Sequence, residues 1–160
     1  MSDPHLRAYR GAIDDLPALV ARIRGQPYQL LRADRVYGAD HLRHAARLAA
    51  RAIERDRARG ADLATETLLY AAGERQVHKA LALLGLATDT RAIAAIAWDE
   101  AALDALAHDE GWSRDDALLE GDESVLDAFG VSDAERAMIP RARWGDLILE
   151  KVALLDVAKP

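Results

Sequence analysis

Thr67-Leu68-Leu69-Tyr70-Ala71-Ala72-Gly73-Glu74-Arg75-Gln76-Val77-His78-Lys79-Ala80 is the stretch on which the fold assignment turns. Thr67 to Ala72 reads as a short, buried strand, because the run is brief and apolar. Gly73 ends it, and a helix over Glu74 to about Leu84 follows, closed by Gly85. A strand–glycine–helix corner leaves the first helical amides without intrahelical partners, so the turn is expected to present partial positive charge to an anion. Arg75 and Lys79, four residues apart, add formal charge beside it, and Gln76 can hydrogen-bond a base or a ribose. The plainer alternative is that both cations pair with Glu74 or with neighbouring carboxylates.

The flanking elements set this corner in a mixed fold. Leu6 to Ile13 reads as a first strand, after which Asp14 and Asp15 supply an N-cap and Pro17 suits a first helical turn. Leu16, Leu19, Val20 and Ile23 keep helical spacing up to Gly25. Tyr28 to Tyr37 reads as a second strand. Asp40 then caps a long helix from His41 to about Arg57, with Leu42, Ala45, Ala49, Ala52 and Ile53 on its inner face. Arg91 to Trp98 reads as a further strand, and Asp99 caps the helix after it. Residues 109–131 read as short helical turns between acidic loops, Ser132 and Glu135 as a capping box, and Ala142 to about Leu155 as the last helix. Strands and helices mix without strict alternation. The expectation is one α+β domain over residues 1–160, with a small, mainly antiparallel sheet of about four strands packed with six to eight helices.

Composition narrows the function. The chain has 160 residues, 51% of them hydrophobic, enough to bury a core without metal or disulfide staples. It has no Cys, which excludes thiolate catalysis and Cys-built zinc sites. No apolar run nears the ~20 residues of a membrane helix, and Met1 to His5 lacks a leader pattern, so a cytoplasmic location is expected. The net charge of −6 hides a split: residues 1–60 carry 12 basic and 7 acidic side chains, residues 61–160 carry 9 and 20. Such asymmetry allows a basic face on an acidic protein. A composition biased toward Ala, Arg and Asp accounts for the acidic part without any partner.

Catalytic patterns are missing. The chain has no glycine-rich phosphate loop, dinucleotide fingerprint or kinase signature. His41 and His44 stand three apart on one predicted helix, with no carboxylate at ligand spacing, so no metal is expected. The acidic cluster from Asp115 to Glu123 lacks the calcium-loop spacing, and Ser113, Ser124 and Ser132 have no nearby base. No enzyme activity, cofactor or metal is expected.

Arg43, Arg47, Arg51, Arg55 and Arg59 recur at every fourth position, a slanting stripe that suits a phosphate backbone. The competing reading is a solvated face paired with Asp40, Glu54 and Asp56. In the last helix, Trp144, Leu147, Ile148, Leu149, Val152, Leu154 and Leu155 spread beyond the arc that one buried face needs, so the helix is read as shared between the core and a partner.

Three blocks, Val36–Leu42, Glu66–Val77 and Leu149–Leu155, resemble the kinase-binding accessory subunit of the KEOPS tRNA-modification complex, the PRPK-binding (TPRKB) family, in its archaeal form. The order and spacing fit over nearly the whole chain, and Leu-Leu-Tyr-x-x-Gly-x-Arg-Gln-hydrophobic over Leu68–Val77 is the most specific element. The resemblance implies a non-catalytic subunit that binds the small atypical kinase/ATPase of the complex. It also implies recruitment of tRNA through the 3′ CCA tail for threonylcarbamoyl-adenosine modification. Carried across, Gly73, Arg75, Gln76, Val77 and Lys79 would meet the tail. The four-residue spacing, not the resemblance, makes Arg43, Arg47 and Arg51 further candidate tRNA contacts, and the wide apolar arc makes Ile148, Leu149, Val152 and Leu155 candidates for the kinase contact. Glu74 stands where many archaeal relatives carry a basic residue, which weakens phosphate attraction. The alternative is a pure protein-interaction module that regulates the kinase allosterically without touching RNA.

Overall fold

Ala92-Ile93-Ala94-Ala95-Ile96-Ala97 has no polar side chain on either face, the composition of a strand covered on both sides. The computed structural model describes residues 3–60 and 62–157, so Met1 and Ser2 of the N-terminal stretch read above lie outside the described residues. It places this hexapeptide inside a four-stranded antiparallel sheet. The strands are β1 (His5–Arg10), β2 (Tyr28–Arg32), β3 (Ala92–Ala97) and β4 (Ser113–Arg114), in the order β2-β3-β1-β4. Eight α-helices appear among the described residues: α1 (Leu16–Ile23), α2 (Ala39–Glu54), α3 (Leu63–Ala72), α4 (Val77–Leu84), α5 (Glu100–Glu110), α6 (Glu123–Ala128), α7 (Asp133–Ala137) and α8 (Gly145–Val157). The α+β class is as expected.

The period of two sorts the sheet's side chains. Ile93, Ala95 and Ala97 of β3, with Tyr9, Tyr28 and Leu30, meet Leu19 of α1 and Leu103 and Leu106 of α5. Ala94, Ile96, Ala8 and Leu31 face the opposite way, onto α2, α3, α4 and α8. Both faces are therefore covered, and the alanines of β3 let the two helical layers approach closely. A third apolar cluster joins α6 to Leu147 and Ile148 of α8.

Thr67–Ala72 is not a strand. It forms the second half of α3, which Asp62 starts by accepting from Thr65 N at 2.8 Å. The helix reads as featureless because it is buried all round, wedged between α2, α4 and α8. The fourth strand comes instead from Ser113–Arg114, inside a segment read as turns and loops. Other boundaries shift for local reasons. The second strand stops at Arg32, where Ala33–Arg35 turns into a 3-10 helix. Gly38, not Asp40, is the N-cap of α2, and α2 ends at Glu54 rather than Arg57. There Arg57 N bonds back to Ala52 O at 2.8 Å, and Asp56 takes a positive φ of 54°. The N-caps at Asp15 and Asp99 and the capping box of Ser132 with Glu135 form as read.

Candidate functional site

Gly73 closes α3 in the left-handed conformation, with φ of 65°. The next amide, Glu74 N, returns to Leu69 O at 3.0 Å, and Gly73 N returns to Tyr70 O at 3.0 Å. Both corner amides are spent on the end of α3. The helix start expected at Glu74 is therefore absent, and α4 begins three residues later, at Val77, after an extended Gln76. What remains at the corner is a connecting segment, residues 73–76, with side chains of mixed character.

That segment lines one wall of a groove of about 630 Å³ between α3, α4 and α8. Gly73, Glu74, Lys79, Lys151 and Leu154 continue into an adjoining hollow of about 340 Å³ that adds Arg75 and Gln76. The floor is apolar, built from Ala72, Leu83 and Phe129. Phe129 is fixed edge-on against His41, with ring centroids 5.3 Å apart. Among the described residues, no carboxylate lies within 4.0 Å of Arg75, Lys79 or Lys151. Arg35 is engaged: it donates to Leu83 O at 2.8 Å and so caps the C-terminus of α4. Glu74 is the single carboxylate of the lining.

The opposite wall is α8, and its seating decides the groove. Val152 and Leu155 are buried against α2 and α3. The Tyr70 hydroxyl donates to Asp156, and the Arg59 guanidinium donates to Leu155 O at 3.3 Å. Burial and the Asp156 carboxylate push the Tyr70 hydroxyl up to about 12. With those side chains turned inward, Lys151 and Leu154 line the groove. A Cβ on Gly73 would sit 3.2 Å from Lys151 O, so the glycine also sets how closely α8 approaches.

His41 locks the same region from behind. It is fully buried, accepts from Tyr37 N at 3.1 Å through Nδ1, and therefore donates from Nε2 to Ala71 O at 2.8 Å. Burial, only partly offset by the Ala71 carbonyl, pushes its imidazole down to about 4. It serves as a neutral brace rather than a metal ligand. Among the described residues no group of three or more His, Asp or Glu is placed to hold a metal ion.

Gly73, Arg75, Gln76, Val77 and Lys79 are thus brought together at one corner, with Val77 40% exposed on the flank. The Arg row is shorter than its spacing promised. Arg43 is bound to Asp40 at 2.5 Å, and Arg59 lies beyond α2 and donates to Leu155 O. Arg47, Arg51 and Arg55 line a separate hollow that shares no residue with the groove. Of the residues assigned to a kinase contact, Ile148, Val152 and Leu155 have their side chains in the core, and Leu149 alone keeps partial exposure. The wide apolar arc of α8 is explained by packing on two sides, against the main core and against the cluster around α6. Sequence reading missed Arg35, Phe129 and Leu154 as groove residues. Lys151 was within reach, since it sits in the block Leu149–Leu155. Leu154 lies in that block too, whereas nothing local marked Arg35 and Phe129, which come from distant segments.

No curated protein matches the chain. The family model described as Kinase binding protein CGI-121 matches residues 14–139, more than three quarters of the chain. The match runs from the residues before α1 to the end of α7 and so includes the segment 73–79 and Phe129. That match over residues 14–139 shows that the chain belongs to the Kinase binding protein CGI-121 family.

Proposed function

We propose that this chain is the non-catalytic, kinase-binding subunit of a KEOPS-type tRNA-modification complex and that its groove receives the 3′ CCA end of tRNA. The observation that carries the reading is the convergence of Arg75, Lys79 and Lys151, none with a carboxylate partner, over an apolar floor with an aromatic edge. Single-stranded RNA is held by cations along its phosphates and by apolar or aromatic surfaces under its bases. The groove offers both. The kinase contact falls elsewhere and includes Leu149, which lines a hollow with Tyr37 and Ala142 at the other end of α8.

The test is a binding titration with tRNA, whole and lacking its last three nucleotides. Lys79→Glu together with Lys151→Glu should remove the preference for the intact tail. Losing one charge-assisted contact is worth about 1.5–3 kcal/mol, at least roughly tenfold in affinity. Glu74 inside the groove favours the second reading, a protein-interaction module that regulates the kinase without RNA. Failure of the wild type to bind either RNA, with kinase binding intact, would establish that module instead.

A further inference from the structure

Most arginines of this acidic protein carry a carboxylate or carbonyl partner. Among the described residues six do not, Arg24, Arg57, Arg75 and the trio Arg47, Arg51 and Arg55, although the chain has six more acidic than basic side chains. The members of the trio line one hollow of about 310 Å³, within the range of a small-ligand site. They recur at four-residue spacing at the C-terminal end of α2. The other principal wall is Trp98, the residue after β3, and Ala46 and Ala50 leave the space beside it unfilled. Trp112 and Trp144 each donate an indole N–H to a carbonyl, Ala12 O and Arg136 O, both at 3.1 Å. The Trp98 indole has no such partner among the described residues. Asp3 and Glu54 also line the hollow, but neither lies within 4.0 Å of a guanidinium. His44, one turn before Arg47, is held below the ordinary histidine range, first by burial and then by the charges of Arg47 and Arg51. The hollow therefore keeps a net positive charge, three guanidinium groups against two carboxylates, with no ion pair formed between them.

We propose that this hollow is a second RNA contact, in which Trp98 stacks on an unpaired base while Arg47, Arg51 and Arg55 hold the phosphates beside it. The inference rests on the reading of the chain as a tRNA binder, and it adds a contact that does not involve the 3′ tail. An indole with a ring of guanidinium groups suits a nucleotide, since the base supplies the stacking face and the phosphate the charge.

The experiment titrates the full chain with tRNA lacking its last three nucleotides, following tryptophan emission and affinity over a range of salt. The wild type should bind this RNA with quenching, and Trp98→Leu should lose the quench. Arg47→Ala with Arg51→Ala should bind at least about tenfold more weakly, with a log–log salt slope shallower by roughly 1.4–1.8. Thermal melts check the fold. If Trp98→Leu does not fold, the arginine pair decides, and Trp98→Phe should keep affinity while changing the emission response. Unchanged affinity and slope in the arginine pair would overturn the proposal. If the wild type binds whole tRNA but not the tail-less RNA, the hollow is no RNA contact and the tail reading stands. If both RNAs bind alike and only the hollow variants lose affinity, the tail reading fails and this one stands. If neither RNA binds, both fail.

Discussion

Gly73 combines two demands that no other residue meets together. Its φ of 65° lies where a Cβ is penalised by about 1–2 kcal/mol, and that Cβ would press on Lys151 O at 3.2 Å. Gly73→Ala should lower the thermal midpoint by a few degrees, and because α8 must then move, it should weaken tRNA binding more than kinase binding. Melting curves and paired titrations of the two ligands check this. His41 supplies a pH-dependent counterpart. Its imidazole is depressed to about 4 in the fold, against about 6.5 in the unfolded chain. The unfolded state therefore takes up the proton first as pH falls. Stability is full above about pH 6.5 and is lost between there and pH 4, by on the order of 3 kcal/mol. Asp34 and Asp116, held low by hydrogen bonds from Arg32 and Arg114, add a separate loss below the ordinary carboxylate range. Denaturant unfolding from pH 7 to 4 should show the first loss in the wild type and a flatter profile in His41→Gln, whose stability is lower at pH 7.

At the scale of elements, α3 and α8 show what sequence can and cannot convey. Period and caps made α1, α2 and α5 legible, because each has one buried and one wet face. The end of α3 was marked by Gly73, but from Thr67 to Ala72 the helix carries no charged residue and only the hydroxyls of Thr67 and Tyr70, and so no wet face to set a period. A six-residue apolar run is ambiguous, and the long-range packing of α2, α4 and α8 around it decided for helix. The same blindness misplaced the helix start: residues 73–79 gather at one corner, but the free helical amides expected at Glu74 do not form there. In α8, a wide apolar arc was taken as part core and part docking face, whereas two core clusters consume nearly all of it. Ile148→Asp or Val152→Asp should thus destabilise the fold by about 3 kcal/mol or more, since each would bury an unpaired charge. Leu149→Asp should stay folded and weaken capture of the small kinase. A soluble, stable Val152→Asp that lost only the kinase would move the docking face to the side of α8 that carries Val152.

The whole molecule carries a formal charge of −6, and the proposed function has it bind a polyanion. Its long-range field opposes association, so RNA affinity must come from short-range contacts with cations the fold leaves free. This is a quantitative constraint. If the groove neutralises three phosphates of a single-stranded tail, through Arg75, Lys79 and Lys151, the log–log salt slope is about −2. Raising salt from about 50 to 200 mM should then lower affinity for a short CCA-ended oligonucleotide roughly twentyfold. Removing one cation with Lys79→Ala should make the slope shallower by about 0.7, and Lys151→Ala should do the same, because each contact releases its own counterions. Glu74→Gln should strengthen binding without changing the slope appreciably, since it removes repulsion rather than adding a phosphate contact. Fluorescence anisotropy with a labelled oligonucleotide reads all four proteins in one series. A slope near zero in the wild type would mean that the groove's cations do not meet phosphate, and the partner of that groove would then have to be sought among proteins.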